Sequence, residues 1–262
     1  MLNISKEEKI LRKFFVEPNQ IKDNKIEIIG EDINHIKNVL RLENGEKIKI
    51  CDSDNLKNYI CEIESITNKN VICNILEEVT GKAEGNVELH IFQGLPKADK
   101  MELIIQKGTE LGVSEFIPVS FKRSIVKFSG KDEIKKIERW QKIAEVAAKQ
   151  SGRDLIPKVK NVISIKDICN EVKNYDLVLL AYELEEKNYI KNELFKIKKE
   201  NANYKIAIII GPEGGIEENE ARILESAGAK IISLGKRILR TETVALQVSS
   251  IIMYELEDNG GN

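Results

Sequence analysis

Short stretches of alternating apolar and polar residues fill the first part of the chain. Residues 47–51, 59–63 and 71–75 alternate in this way, and turns rich in Asn, Asp and Gly separate them. The pattern is typical of strands with one buried face, and it predicts a small β-barrel over residues 1–79. One helix is predicted among the strands, beginning at Asp32, because its apolar residues share a face. They are Ile33, Ile36, Val39 and Leu40.

A second pattern begins at Val87, after the polar segment 80–86, whose two glycines mark a domain boundary. Strands and amphipathic helices then alternate, so residues 80–262 are predicted to form an α/β unit. Residues 206–210 are all apolar, which indicates a strand buried on both faces of a parallel sheet covered by helices. The predicted strands are 87–93, 116–120, 176–181, 205–210 and 230–233. The predicted helices are 100–111, 134–149, 189–200, 217–227 and 243–256.

Two of these helices carry informative apolar faces. The helix over 134–149 is expected to turn five residues inward: Ile134, Ile137, Trp140, Ala144 and Ala147. The last helix, over 243–256, is apolar nearly all round, so most of its sides must be buried. Such a helix either lies in the core of one chain or is shared with a second subunit, and the pattern alone leaves both open.

Charge and composition narrow the function. The chain has 262 residues, 42% of them hydrophobic, and a net charge of −2, so it does not coat nucleic acid by bulk charge. Residues 121–160 nevertheless hold twelve Lys and Arg against five acids, which suggests either a nucleic-acid face or a solvated lysine-rich helix. No apolar run could cross a bilayer. Four scattered cysteines predict reduced, buried thiols in a cytoplasmic protein.

The first candidate ligand loop is the segment Gly211-Pro212-Glu213-Gly214-Gly215, between a predicted strand and a predicted helix. Ligands of parallel sheets bind at the carboxyl ends of strands, and glycines there allow a close approach of backbone N–H groups. Glu217 and Glu218 follow and would repel a phosphate, which disfavours a dinucleotide. A plain strand-to-helix turn is the competing interpretation.

The second candidate loop runs from Ser233 to Thr243 and combines cations, two large apolar residues and the helix start Thr241-Glu242-Thr243. A threonine cap with a glutamate in the first turn explains the end of this loop. It does not explain Arg237 and Arg240, which lie near a helix N-terminus where the helix dipole opposes a cation. Cations in this place indicate an anionic partner, either a cofactor carboxylate or an RNA phosphate.

Several kinds of chemistry have no residues to support them. The chain has two histidines, of which His90 lies in a predicted strand and is interpreted as a packed residue. No Ser-His-Asp order and no metal-ligand spacing occurs, so no metal is expected. Methyl transfer from a sulfonium donor needs neither, because the donor carries the reactive carbon. A non-catalytic RNA-binding module and a nucleotide-dependent oxidoreductase are the rival classes.

Motifs spread along almost the whole chain resemble one family, the uracil-N3 methyltransferases of 16S ribosomal RNA in the SPOUT superfamily of knotted methyltransferases. The two candidate loops, in this order, are its most specific elements. The others are Arg12-Lys13-Phe14-Phe15, His35, Val39-Leu40-Arg41-Leu42, Leu95-Pro96-Lys97, Lys100-Met101, Gln106-Lys107, Glu110-Leu111-Gly112, Arg123-Ser124, Arg139-Trp140 and Gln150-Ser151-Gly152-Arg153 with Pro157. The chain departs from the family pattern at Ala98, Lys100, Lys149 and Val244.

The resemblance implies an N-terminal PUA-like β-barrel that docks RNA and a C-terminal parallel sheet with a trefoil knot. It implies a homodimer that binds S-adenosylmethionine and methylates N3 of a uridine in 16S rRNA of the small ribosomal subunit. The alternative is a SPOUT-type enzyme that acts on another base or on a ribose 2′-oxygen. The implied cofactor residues are Leu180, Ala181, Tyr182, Glu183, Ile210, Gly211, Glu213, Gly214, Gly215, Ser233, Leu234, Gly235, Ile238, Leu239, Arg240 and Thr243.

Uracil N3 carries a proton, so the enzyme must favour the deprotonated base and align it with the methyl group. We expect Arg240 to stabilise the developing negative charge or a phosphate. Glu242 is expected to take the proton or to orient Arg240, and Glu213 is the competing carboxylate, with bracing of the glycine loop as its simpler role. The expected RNA contacts are Arg12, His35, Arg41, Lys97, Arg123 and Arg153.

Overall fold

The computed structural model describes residues 11–81, 83–126, 130–199 and 202–257. It divides into two compact units. Unit 1 contains residues 1–84 together with the short return segment 152–155, and unit 2 contains residues 85–151 and 156–262. The sequence placed the boundary a few residues earlier, at 79 and 80, and did not anticipate the return segment. Lys127, one of the cations of the basic stretch, lies outside the described residues.

Unit 1 is built on one six-stranded sheet in the order β1-β4-β5-β6-β3-β2. Strands β1 and β4 are parallel, and every other pair is antiparallel. The inward residues of the alternating strands form its core, in which Ile48, Ile50 and Ile63 are buried. The strands are β1 (Lys13–Val16), β2 (Ile21–Lys22), β3 (Lys25–Ile28), β4 (Lys47–Asp52), β5 (Lys57–Ile66) and β6 (Val71–Thr80).

The helix of unit 1 differs from the expectation at both ends. Helix α1 (Glu31–Asn34) starts after Gly30, not at an Asp32 cap, and continues into a π-helical turn, His35–Val39. Ile33 and Ile36 are buried as predicted. Val39, by contrast, is 64% exposed at the end of the π turn, whereas Leu40 after it packs partly buried against the core.

Unit 2 is an α/β layer structure, as predicted. Its six strands form an entirely parallel sheet in the order β12-β10-β11-β7-β8-β9. The strands are β7 (Val87–Gly94), β8 (Val113–Val119), β9 (Lys158–Val159), β10 (Leu177–Ala181), β11 (Tyr204–Ile210) and β12 (Lys230–Ile232). The helices are α2 (Lys100–Glu110), α3 (Lys131–Ser151), α4 (Ile165–Glu171), α5 (Ile190–Ile197), α6 (Glu218–Ser226) and α7 (Thr241–Leu256).

Both faces of this sheet are covered, which explains the continuously apolar strands. Along β11, Ile206, Ile208 and Ile210 point into the larger core, while Ala207 and Ile209 point into the smaller one. Helices α2, α3, α5 and α7 contribute to the larger core, and α4 and α6 to the smaller. Strand β11 therefore packs against both cores, because its alternate side chains lie on opposite faces of the sheet.

Two predictions about helix faces have different outcomes. Trp140, Ala144 and Ala147 of α3 are buried as expected, but Ile134 is 59% exposed near the beginning of the helix. Helix α7 packs against α2, α5, β7 and β11 and buries Ala245 among other residues, so the core-helix interpretation is correct for the single chain. Within the described residues, no helix has the length and apolarity needed to cross a membrane.

Candidate active site

Three neighbouring strands of unit 2 end side by side. The last residues of β10, β11 and β12 are Ala181, Ile210 and Ile232, and the strand register pairs Ala181 with both of the others. Because the strands are parallel, their three following loops leave the same edge of the sheet. These loops contain both candidate loops from the sequence and the segment after Ala181.

The loops enclose a cleft of about 590 Å³, which is a normal size for a small-molecule site. Fourteen of the residues expected to bind the cofactor line it: Ala181, Tyr182, Glu183, Ile210, Gly211, Glu213, Gly214, Gly215, Ser233, Leu234, Gly235, Ile238, Leu239 and Arg240. The remaining two do not. Leu180 is fully buried in β10, and Thr243 is exposed on α7 outside the lining, because each side chain leaves its element away from the cleft.

Close packing explains why the first loop contains glycines. A Cβ at Gly215, whose φ is +71°, would lie 2.3 Å from a carboxylate oxygen of Glu183. Gly94, at the end of β7, approaches the same loop so closely that a Cβ would lie 2.6 Å from the backbone nitrogen of Pro212. At Gly94 a side chain would displace the loop backbone, whereas at Gly215 it would be strained by the positive φ, so both glycines shape the cleft wall.

A buried chain of polar side chains anchors this loop to α7. The Gln93 side chain donates from Nε2 to the Thr241 hydroxyl at 2.8 Å, and that hydroxyl donates to the Gly211 carbonyl at 2.7 Å. Gln93 is fully buried and Thr241 is 6% exposed. The strand β7, the glycine loop and the first turn of α7 are thus held together at the cleft.

Lys100, at the start of α2, joins two carboxylates at the cleft wall. Its ammonium nitrogen lies 3.0 Å from Glu213 Oε1 and 3.2 Å from Glu242 Oε2. Glu213 also accepts the backbone N–H of Lys97 at 3.0 Å. Burial disfavours the Glu213 carboxylate, but its own backbone N–H, Lys100 and Lys97 outweigh that effect and hold its pKa below the ordinary value. The hydrogen bond to Glu213 is the main cause that raises the pKa of Lys100.

The cations of the second loop remain available to a ligand. Lys236, Arg237 and Arg240 are exposed and line the cleft. In the described part of the chain, no carboxylate forms an ion pair with Arg237 or Arg240. Ile238 between them is 92% exposed. These exposed guanidinium groups at the cleft fit the anionic partner that the sequence suggested.

Sequence reasoning did not include Gln93, Lys100 and Thr241 among the site residues. Lys100 and Thr241 stood inside the motifs of the family resemblance, which was the available signal. Gln93 gave none, because a polar residue at the end of a strand looks like an ordinary strand end until its partner on α7 is known.

The expected RNA contacts in unit 1 lie on its surface. Arg12, His35 and Arg41 are exposed, and the His35 ring packs edge-on against Phe14 with centroids 6.1 Å apart. Arg41 has a left-handed backbone with φ of +54°, which is uncommon for a residue with a side chain. All three are accessible to RNA.

The expected contacts in unit 2 are also accessible. Lys97 is exposed, and its backbone braces Glu213. Arg123 donates from Nη1 to the Gly214 carbonyl at 3.2 Å, and its side chain is 49% exposed. Arg123 therefore supports the glycine loop in addition to any contact it makes with RNA.

Arg153 corrects the expectation. It belongs to the return segment of unit 1 and is only 4% exposed. Its guanidinium donates to both carboxylate oxygens of Glu84, at 3.1 and 2.6 Å. A buried arginine that is paired in this bidentate way is a structural residue, so we remove Arg153 from the set of phosphate contacts.

His90 is a packed residue, as the sequence indicated. His90 is buried, and its ring hydrogen-bonds with Tyr175 and pairs with Glu88. Desolvation lowers the pKa of His90, despite its acidic neighbours. Among the described residues, no group of His, Cys, Asp and Glu side chains could hold a metal ion.

A parallel sheet with a ligand-sized cleft at the carboxyl ends of its strands defines an α/β ligand-binding class. Comparison with known families is more specific. Residues 83–253 match the RNA methyltransferase domain, and residues 28–76 match the RNA methyltransferase PUA domain. The ribosomal RNA small subunit methyltransferase E of Bacillus subtilis is 38% identical and covers 94% of this chain and 98% of its own. The chain therefore belongs to the ribosomal RNA small subunit methyltransferase E family.

Solved structures agree with this assignment and with the predicted fold class. A Legionella pneumophila methyltransferase, determined with bound cofactor SAM, superimposes with a TM-score of 0.81 at 29% identity and covers 95% of this chain and 99% of its own. A Neisseria gonorrhoeae ribosomal RNA small subunit methyltransferase E, bound to S-adenosyl methionine, gives a TM-score of 0.81 at 27% identity with the same coverage.

Proposed function

We propose that this protein methylates N3 of a uridine in 16S ribosomal RNA, with S-adenosylmethionine as methyl donor. One observation carries the proposal: Arg240, the N-cap of α7, lines the ligand-sized cleft walled by the glycine loop, and Glu242 in the first turn of α7 pairs with Lys100 of the cleft wall. The family membership and the relatives that hold the donor support it. The rival oxidoreductase would need a phosphate cradle, which the acids beside this loop disfavour.

The residues of the cleft fit the donor. Backbone groups of the glycine loop, the carboxylate of Glu183 and the apolar walls at Ile210 and Leu239 suit an adenosine moiety. The exposed cations Arg237 and Arg240 suit its amino-acid carboxylate. S-adenosylmethionine supplies a methyl group on a sulfonium centre, and the protein supplies alignment and a path for the proton.

Uracil N3 becomes a good nucleophile only when its proton leaves. In the proposed mechanism, the Glu242 carboxylate accepts that proton and Arg240 stabilises the negative charge that develops on the base. Glu213 braces the glycine loop. The target base must be unpaired or flipped out, since N3 lies on its pairing edge.

The RNA contacts and the assembly are part of the same proposal. Arg12, His35 and Arg41 of unit 1, and Lys97 and Arg123 of unit 2, bind the RNA. The enzyme acts as a cytoplasmic homodimer on the small ribosomal subunit. The exposed large side chain of Tyr254 on α7, 82% accessible in one chain, supports the dimer.

Incubation with labelled S-adenosylmethionine and unmethylated small subunits tests the function. Label should enter 16S rRNA, and reverse transcription should stop at one uridine because an N3 methyl group blocks pairing. Mass spectrometry of digested nucleosides should then give a methylated uracil base. A methylated ribose or another methylated base would replace the N3 assignment with the alternative, and RNA binding without label transfer would favour a non-catalytic module.

A further inference from the structure

The ammonium group of Lys100 occupies a junction between two elements. Glu213 belongs to the loop after β11, and Glu242 belongs to the first turn of α7. Lys100 contacts both, at 3.0 and 3.2 Å, from the first residue of α2. One side chain thus connects the loop that lines the cleft with the carboxylate assigned to the proton.

No other cationic side chain among the described residues forms an ion pair with these two carboxylates. Lys100 is the only Lys or Arg there whose side-chain nitrogen lies within 4 Å of either one. The other charged groups that line the cleft are Glu183, Glu185, Lys236, Arg237 and Arg240. The cations among them form no ion pair with Glu213 or Glu242 in the described part of the chain.

Glu242 depends on this contact more than Glu213 does. Glu213 receives the backbone N–H of Lys97 as well, so its charge keeps a partner without Lys100. Glu242 Oε2 is buried and receives no hydrogen bond from the described residues, which leaves the ammonium 3.2 Å away as its compensating charge. A buried carboxylate oxygen that loses its counter-charge is costly.

We propose that Lys100 is a positioning residue that couples the donor-binding loop to the proton-accepting carboxylate by holding Glu213 and Glu242 in one ion-paired cluster. This inference rests on the proposed function. It assigns two effects to one side chain: an effect on donor affinity that acts through Glu213, and an effect on the methylation rate that acts through Glu242. A residue that merely stabilised the fold would not separate these effects.

The first test is a double-mutant cycle on the rate. Lys100→Met should lower the single-turnover methylation rate about tenfold, an effect typical of directly contacting groups. In the Glu242→Gln background the same change should alter the rate less than about twofold, because the carboxylate through which Lys100 acts is gone. Lys100→Arg should restore most of the rate, since it keeps a cation in place.

The second test is a cycle on donor affinity, measured by calorimetry with S-adenosylmethionine alone. Lys100→Met should weaken binding several-fold in the wild-type background and have little effect in the Glu213→Gln background. Lys107→Met is the matched control, because Lys107 lies on the same helix and pairs with Glu110. It should change neither the rate nor the affinity.

The outcomes separate the inference from the function on which it rests. Suppose that the wild type binds the donor and methylates RNA. If the effects of Lys100→Met on rate and affinity are then as large in the Glu242→Gln and Glu213→Gln backgrounds as in the wild type, the coupling role is wrong. Failure of Lys100→Arg to restore the rate would also contradict it. If the wild type does not bind the donor, the proposed function fails first. Lys100→Gln, checked by thermal melting, replaces Lys100→Met if that variant does not fold.

Discussion

At the scale of single residues, one hydroxyl group connects the core to the cleft. The Thr241 hydroxyl accepts from Gln93 in a buried hydrogen bond and donates to the Gly211 carbonyl in a partly buried one. An alanine or valine in this place removes both bonds, so the fully buried Gln93 amide keeps only its bond to the Gly94 carbonyl and the Gly211 carbonyl loses the hydroxyl. Such losses cost more than an exposed hydrogen bond would.

Thr241→Val keeps the shape of the side chain and removes both hydrogen bonds. We expect it to destabilise the protein by about 1–3 kcal/mol, measured by urea unfolding. It should also weaken binding of S-adenosylmethionine, because the glycine loop loses its anchor. Thr243→Val is the control, since Thr243 lies two residues further along α7 and is exposed. Equal losses in the two variants would show that the hydroxyl relay does not shape the loop.

The cysteines show how far residue types alone can be interpreted. Their spacing predicted free, buried thiols, and Cys51, Cys61 and Cys73 are free and buried. Burial raises the pKa of each of the three to about 12, so they remain protonated at neutral pH. Cys169 is partly buried. Cysteine spacing was a good guide here because it required no knowledge of distant partners.

At the scale of elements, helix α4 is the clearest omission from the sequence prediction. The Ser164 side chain accepts the backbone N–H of Asp167, and the Asp167 side chain accepts that of Ser164. This reciprocal capping box can be recognised from the sequence Ser164-Ile165-Lys166-Asp167. The helix is short, Ile165–Glu171, so its apolar period was too brief to detect.

Ser164→Ala should remove this cap and destabilise the protein by about 1 kcal/mol. The expected loss of stability is largest in α4, so the rate of amide hydrogen exchange should increase more in α4 than in β11. Ser250→Ala, at an exposed position within α7, is the control and should cost nothing, because alanine favours a helix interior. Slower or unchanged exchange in α4 would mean that packing against α6, not the cap, holds the helix.

Element types could be predicted where the apolar pattern was local, and element partners could not. The continuous apolar run of β11 was sufficient to predict a buried parallel strand. The order β12-β10-β11-β7 depends on packing between segments far apart in the chain. Arg153 was misassigned for the same reason, because its partner Glu84 is 69 residues away. The knot implied by the family resemblance stays a prediction.

At the scale of the whole molecule, the return segment 152–155 completes unit 1. Asp154 is 2% exposed there and pairs with Lys13, and its carboxylate also accepts the backbone N–H of Ala83 at 3.0 Å. Its carbonyl accepts the thiol of Cys51 at 3.0 Å. Four residues taken from the second half of the chain thus belong to a unit made otherwise of the first 84.

This arrangement makes part of the stability of unit 1 dependent on pH. Burial disfavours the Asp154 carboxylate, but hydrogen bonds from Lys13 and Ala83 and the charges of Lys13 and Lys49 outweigh it, so its folded-state pKa lies below 3.8. A lowered pKa means that the unfolded chain binds the proton more readily. The stability from Asp154 is therefore complete above about pH 4 and is lost as the pH falls through the folded-state value.

Asp154→Asn should destabilise unit 1 by about 3 kcal/mol at pH 7, because it leaves the nearly buried ammonium of Lys13 without its negative counter-charge. Hydrogen exchange of the amides in β4, corrected for intrinsic rates, reports on this unit alone. The difference from wild type should narrow as the pH falls below about 3.8 toward the lower folded-state pKa of Asp154, because the unfolded chain takes up the proton first there. Glu77→Gln, at an exposed position on β6, should give no such difference. A loss that stays constant over this pH range would assign the role of Asp154 to packing and not to its charge.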